Sequence, residues 1–191
     1  MSRIHVEYLH GCFDEKEVIE ITQLYKTYDV DVILHEKHPH IVNAAFDELV
    51  ETILLFINAA ELQTGIAIFN IAAAISSVTK WMWEKLKSKK LKKITRDTIE
   101  EKDANIIVQV DNVKILLDKK ATDEELAKYL YIALCESKRA TKEEAGRQIV
   151  IEGDNNTVNV YYLEEFAKKT IGNEYKRIRA VSRRKSGKRN R

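Results

Sequence analysis

The chain has little of what breaks or cross-links a polypeptide. Its 191 residues include one proline, six glycines and two cysteines. So few helix and strand breakers argue against long flexible linkers, and the length suits one domain with appendages. The two cysteines, and an N-terminus without the apolar stretch of a secretory signal, predict a protein of the reducing cytoplasm.

Motifs typical of enzymes are also missing. The sequence contains no GxSxG, no P-loop, no GxGxxG and no HExxH. Cys12 and His10 form a nominal Cys–His pair, but neighbours at the end of a strand need not face one another. Cys135 follows Leu134 in a predicted helix, which favours a place in the core. We therefore expect no catalytic residue and no enzymatic activity.

Acidic and basic residues are unevenly distributed. The net charge is +2, yet residues 176–191 hold nine Lys and Arg and no acid, which leaves 23 basic residues against 30 acidic ones elsewhere. Such a tail can contact phosphate backbones or anionic lipid, or it can be a disordered, solubilising end. The tail residues predicted to contact phosphate are Arg183, Arg184, Lys185, Lys188 and Arg189.

The first forty residues predict a strand, a helix and a second strand. Ile4–Leu9 alternates like a strand, a helix opens at Phe13 or Asp14, and Val30–His35 alternates again. Because such units usually cross over right-handed, the two strands should be parallel. The pattern from Ile41 to about Ser88 is helical almost throughout.

The second half predicts two hairpins around a helix. Asp111-Asn112 separates two short apolar runs, and Thr122-Asp-Glu-Glu is a capping-box pattern that opens a helix. We predict an α+β, ferredoxin-like fold with a four-stranded sheet, helices on one face and an added C-terminal hairpin. The predicted divisions are a core at 1–137, a polar linker, hairpin and short helix at 138–170, and a basic tail at 171–191 that its composition predicts to be disordered.

An apolar stretch, residues 62–79, carries no charge and is followed at once by aromatic and basic residues. It can be a helix buried under the sheet, a segment in contact with a membrane, or an oligomer interface. A bilayer needs about 20 predominantly apolar residues, and polar residues interrupt this run. Burial would use Ile66, Phe69, Ala73 and Ile75. The residues assigned to membrane contact or helix packing are Ile66, Phe69, Ala73, Trp81 and Trp83.

All five histidines lie in the first forty residues. If the opening strands are parallel, their carboxyl ends meet at one sheet edge, so histidines and a cysteine could gather there. Imidazole and thiolate are good zinc ligands, although loop histidines are commonly solvated. The candidate zinc ligands are His10, Cys12, His35, His38 and His40.

The segment QIVIEGDNNTVNVYY predicts a β-hairpin with a Gly/Asn-rich turn. It also looks somewhat like bacterial amyloid-signalling motifs, whose asparagines and β-branched residues suit cross-β stacking. An ordinary hairpin would still offer an edge to which a partner could add a strand. The residues assigned to partner binding are Ile151, Gly153, Asn155, Asn156 and Val158.

The order of these features resembles the effector-associated constant component family of bacterial conflict systems. The resemblance rests on IHVEYL, FDEKEV, DVDVIL, GIAIFNIAAAISSVTKWMW and VQVDNVKILLDKKATDEEL, and it covers roughly residues 3–137. Members of this family look like non-catalytic partners encoded beside effectors such as peptidases. The resemblance implies no individual functional residue.

Three functions follow as expectations. The first is a non-enzymatic adaptor or sensor of prokaryotic immunity that binds a protein effector and can self-associate. The second is a membrane-acting effector that uses helices within 53–83 and associates with the inner membrane. The third is a nucleic-acid-binding module that uses the basic tail.

Overall fold

Strands and helices alternate along most of the chain. A computed structural model of the protein describes residues 2–37, 53–87, 91–94, 99–102, 105–143, 147–153 and 157–170, with the backbone alone for 91–94 and 99–102. The strands are β1 (Ser2–Leu9), β2 (Val30–Lys37), β3 (Ile53–Ile57), β4 (Leu91–Ile94), β5 (Ile99–Lys102), β6 (Ile106–Val110), β7 (Val113–Leu116), β8 (Ile149–Gly153) and β9 (Val158–Tyr162). The helices are α1 (Glu15–Lys26), a 3-10 turn (Ala59–Leu62), α2 (Gly65–Lys87), α3 (Asp123–Glu143) and a terminal helix at 163–170.

Seven of these strands form one mixed sheet in the order β2-β1-β3-β6-β7-β8-β9, while β4 and β5 pair separately. The parallel neighbours are β1 with β2, β3 with β6, and β7 with β8. Each parallel pair is connected through a helix, so three strand–helix–strand units build the sheet. The predicted α+β class and the parallel pairing of the first two strands are confirmed.

All three long helices pack on one face of the sheet. Alternate strand residues, such as Ile4, Leu55, Val108 and Ile115, join the buried side chains of α1, α2 and α3 in one core cluster. Strand side chains point to opposite faces in turn, so this alternation places one apolar row of each strand beneath the helices.

The three crossovers do not share one hand. β1 and β7 run in the same direction, but β2 lies on one side of β1 and β8 lies on the other side of β7. Because the helices share a face, the connection through α3 has the opposite hand to the connection through α1. The α2 connection has the hand of α1. The α3 unit therefore differs in hand from the other two.

The region predicted as almost continuously helical, 41–88, contains a central strand. Residues Ile53–Ile57 (ILLFI) form β3, which pairs with β1 and β6 and is buried at alternate positions. A short apolar run has no periodicity that separates a strand from a buried helix, which is why this prediction was wrong. With β3 and the two strands of the C-terminal hairpin, the sheet has seven strands instead of four. Residues 38–52 lie outside the described part of the chain.

The domain boundary expected at residue 137 falls inside α3, which continues to Glu143. The C-terminal hairpin is also part of the main sheet, because β8 pairs with β7 in parallel and with β9 antiparallel. β4 and β5 pair within a charged stretch for which no strand is predicted from the sequence. That stretch is rich in charged residues and has few apolar ones, so it lacks the alternating pattern of a strand.

The capping box predicted at Thr122 is confirmed. The Glu125 backbone N–H donates to Thr122 Oγ1 at 3.3 Å, and the Thr122 N–H donates to Glu125 Oε2 at 2.8 Å. These bonds satisfy two donors at the start of α3 that the helix itself leaves without partners.

We expect Thr122→Ala to lower the free energy of unfolding by about 1 kcal/mol, because it removes the capping oxygen. Urea unfolding followed by circular dichroism measures this change. Thr122→Asp retains an acceptor and should stay within about 0.5 kcal/mol of the parent. An equal loss in both variants would show that the side-chain acceptor at residue 122 is not the cause of the loss.

Candidate protein-binding surface

One side of α2 is deeply buried along its whole length. Ile71, Ile75 and Met82 are fully buried between the sheet and the neighbouring helices. The expectation that Ile75 belongs to the core is therefore confirmed. An α-helix has 3.6 residues per turn, so these residues lie along one side of it.

Ile66 and Phe69 lie on a different side of α2 and remain exposed by 76% and 64%. Their prediction as core residues was wrong, because almost every position from 65 to 79 is apolar and the sequence does not show which side faces the sheet. Ala73 is half-buried on the same outer side. The Tyr131 hydroxyl of α3 reaches this end of α2, 4.0 Å from where a Cβ atom on Gly65 would be.

We call Ile66, Phe69, Ala73 and Tyr131 the outer patch. Tyr131 is itself 38% exposed, so three large side chains face solvent at the start of α2 and the middle of α3. α2 and α3 run antiparallel here: Ser76 Oγ donates to the Asp123 carbonyl at 2.7 Å, and Lys138 Nζ donates to the Gln63 carbonyl at 3.1 Å. These bonds between the helices hold both sides of the patch in place.

The two tryptophans at the end of α2 have different surroundings. Trp83 is buried, with 7% exposure, and Lys80 Nζ lies 5.7 Å from its ring centroid. Trp81 is partly buried, and its ring centroid lies 6.1 Å from that of Phe13. Both rings therefore pack within the fold. The sequence alone had also allowed them to lie at a membrane interface.

Within the described part of the chain, α2 is long and apolar enough to be a candidate membrane span. Its best eighteen-residue window has a mean hydropathy of 1.3, and half of that window is buried in the fold. A core helix passes the same test of length and composition, so the burial pattern carries more weight than hydropathy.

The structure separates the candidate zinc ligands that it describes. His10 Nδ1 lies 2.8 Å from Glu36 Oε1, and Cys12 is fully buried among apolar side chains. His35 directly precedes Glu36 on β2, so its side chain points to the opposite face of the sheet from that of Glu36. No group of three or more His, Cys, Asp or Glu among the described residues is placed to hold a metal. His38 and His40 lie outside those residues.

A histidine pair that the sequence did not predict lies on the face away from the helices. His5 Nδ1 and His35 Nε2 are 3.3 Å apart, and the rings stack with an interplanar angle of 2°. The Phe56 ring meets His5 edge-on at 6.4 Å between centroids. In the register of β1 and β2, His35 lies opposite Glu7, which is two residues from His5 and points to the same face. Because side chains along a strand alternate between its faces, the sequence could have indicated that these histidines share a face. It could not have indicated that their rings stack.

The hairpin residues assigned to partner binding have structural roles where they are described. Ile151 is fully buried in the core, and Val158 is partly buried beside it. A Cβ atom on Gly153 would lie 1.9 Å from the Thr157 carbonyl oxygen, so the close approach of the chain requires glycine there. Asn155 and Asn156, and the tail residues Arg183, Arg184, Lys185, Lys188 and Arg189, lie outside the described part of the chain.

No protein-family model, curated protein or solved structure matches the chain. The chemistry and geometry of its own residues therefore carry the functional argument.

Proposed function

We propose that the protein is a non-enzymatic adaptor or sensor of a prokaryotic conflict system that binds a partner effector through the outer patch. One observation carries this proposal: Ile66 and Phe69 expose most of their side chains beside Tyr131 on a helix whose other side is fully packed. Contiguous exposed apolar side chains on an ordered surface mark interaction sites. Aromatic anchors of this kind contribute much of the energy of protein interfaces.

Two further features support the adaptor role. The sequence resembles non-catalytic components encoded beside effectors over roughly residues 3–137. The outer patch also lies on two helices that hydrogen bonds tie together, so a partner would meet a preorganised surface.

The decisive variant is Phe69→Glu in the full-length protein, co-expressed with the effector encoded next to its gene. We expect the parent to co-purify with that effector and Phe69→Glu to lower the recovered complex at least about tenfold, since a buried unpaired charge opposes docking. Ile19→Glu is the matched control, because Ile19 is an apolar residue of α1 exposed by 56% and away from the patch. Retained binding by Phe69→Glu, or equal loss in both variants, would overturn the assignment of the outer patch.

The apolar window of α2 favours a second function, a membrane-acting effector. In that case α2 would leave the sheet and insert, which would expose the core that Ile71, Ile75 and Met82 now fill. Flotation of the full-length protein with anionic vesicles tests this function. Tight association that resists alkaline wash would favour it, whereas protein that stays with the aqueous fraction would favour the adaptor. The nucleic-acid role of the tail stays a prediction.

A further inference from the structure

Strand β9 is an open edge of the sheet. It is the last strand in the order, and within the described residues no strand pairs with its outer side. The Leu163 N–H donates to the Gln148 carbonyl at 3.0 Å, which shows which residues of β9 hydrogen-bond to β8. In an antiparallel pair the bonded positions alternate, so residues 161 and 159 bond to β8. The peptide groups of Val158, Val160 and Tyr162 therefore point outward.

A groove runs between this edge and α3. Its volume is about 210 Å³, and its apolar lining includes Ala140, Ile149, Val160 and Tyr162. Val160 is 44% exposed, although a valine in a strand normally packs against a neighbour. Ile132 lies one helical turn before Glu136 on this flank of α3 and is 37% exposed. An extended segment along β9 would cover these apolar surfaces.

The rim of the groove is acidic. Its lining holds Glu136, Glu143 and Glu165 against one cation, Arg139. Arg139 is already engaged, because its Nη2 lies 2.8 Å from Glu136 Oε2. Among the described side chains, neither Glu143 nor Glu165 has an ion-pair partner. Two carboxylates at the rim thus favour a positively charged ligand.

The opposite edge of the sheet lacks this combination. On β2, Asp31 pairs with Arg3 at 3.3 Å, and Glu36 pairs with His10 at 2.8 Å. Paired charges along an edge strand are a common protection against unwanted strand addition. β9 presents valine and tyrosine instead.

We propose that the groove between α3 and β9 binds an extended basic segment of a partner protein by adding a strand to β9. Outward peptide groups of Val158, Val160 and Tyr162 supply main-chain hydrogen bonds. Apolar side chains at every second position of the segment face the groove, and Lys or Arg side chains at its ends reach Glu143 and Glu165. This inference extends the adaptor role but uses a surface separate from the outer patch, so each can fail without the other.

The test measures fluorescence anisotropy of a labelled peptide with alternating valine and threonine in its middle and arginine at both ends, titrated with the full-length protein. We expect saturable binding that is at least about tenfold tighter than that of a matched peptide with glutamate at both ends, because the rim is acidic. Glu143→Gln with Glu165→Gln should weaken binding about three- to tenfold and reduce its salt dependence. Equal binding of both peptides, or no effect of these variants, would overturn the proposal.

Val160→Pro tests strand addition itself. The Val160 N–H points away from β8, so proline removes a donor for the partner strand and leaves the native ladder bonds in place. We expect at least about a tenfold loss of peptide affinity, and Val160→Thr, which keeps the N–H, should stay within about threefold of the parent. Circular dichroism checks that the proline variant is folded, and the glutamine variants decide the question if it is not.

An unlabelled peptide of residues 176–191 serves as competitor, because this part of the chain has nine basic residues and no acid. We expect it to displace the probe no better than a scrambled peptide of the same composition. Displacement at lower concentration than the scrambled peptide would assign the groove to the chain's own tail and overturn the assignment to a partner.

Discussion

Ile75→Asp is expected to unfold the protein, whereas Phe69→Asp is expected to leave it folded. The two residues lie on one apolar helix, six positions apart, but Ile75 is fully buried and Phe69 is 64% exposed. An aspartate at residue 75 would place a carboxylate among core side chains with no partner. We expect a loss of about 5 kcal/mol or more, which is comparable to the whole stability of a small domain.

At residue 69 the carboxylate would remain in water, so the free energy of unfolding should change by less than about 0.5 kcal/mol. Urea unfolding, with yield of soluble protein as a second readout, measures both variants. The comparison of the two variants also distinguishes an α2 that is buried in the fold from an α2 that lies in lipid. A helix that lies in lipid would suffer from aspartate on either side, by about 2.5–3.5 kcal/mol each, so equal damage would contradict the burial described here.

Stability should fall steeply above about pH 10 because two tyrosine hydroxyls are buried. Burial raises the pKa of Tyr25, whose hydroxyl has no hydrogen-bond partner among the described residues. Burial also raises the pKa of Tyr129, with a smaller contribution from the charge of Glu152. Tyr129 Oη donates to the Leu116 carbonyl at 2.9 Å and lies 3.4 Å from that of Ile151.

A tyrosine with a raised folded-state pKa keeps its proton in the folded protein but loses it in the unfolded chain above about pH 10. Unfolding then releases a proton, so stability is unaffected below that pH and declines above it. Each tyrosine costs about 1.4 kcal/mol per pH unit in this window, and the two together cost about 2.7 kcal/mol.

Urea unfolding at several pH values between 8 and 11.5 measures the decline. Tyr25→Phe and Tyr129→Phe should each halve the slope above about pH 10. At neutral pH they should differ. Tyr25→Phe removes a hydroxyl without a bond and should be neutral or stabilising, whereas Tyr129→Phe should lose about 1 kcal/mol. A slope that neither variant changes would show that other groups cause the alkaline transition.

Local signals in the sequence predicted the parts of the fold that depend on neighbours in the chain. The Thr122 capping box and the two-residue turn at Asp111-Asn112 are confirmed, and Asp111 adopts the left-handed conformation with φ of +47°. α1 begins at Glu15 after an Asp14 cap, next to the start predicted at Phe13 or Asp14. Each of these features is decided by a few adjacent residues.

The features that were missed depend on distant residues. β3 exists because β1 and β6 pair with it on both sides, and nothing within ILLFI itself distinguishes a strand from a buried helix. The exposure of Ile66 and Phe69 depends on which side of α2 meets the sheet. The His5–His35 stack depends on the register between β1 and β2. Tertiary context decides all three, so local propensity could not predict them.

The position of β3 has a consequence for the growing chain on the ribosome. β1, β2 and β3 are synthesised first and can pair as soon as they emerge, but the other edge of β3 waits for β6. At about 5–20 residues per second, the roughly 50 residues between β3 and β6 take about 3–10 s to add. During that interval an apolar strand edge faces solvent, and α2 emerges before the second half of the sheet that it covers. Until Val110 has left the exit tunnel, the nascent chain therefore exposes an edge to which another strand could add.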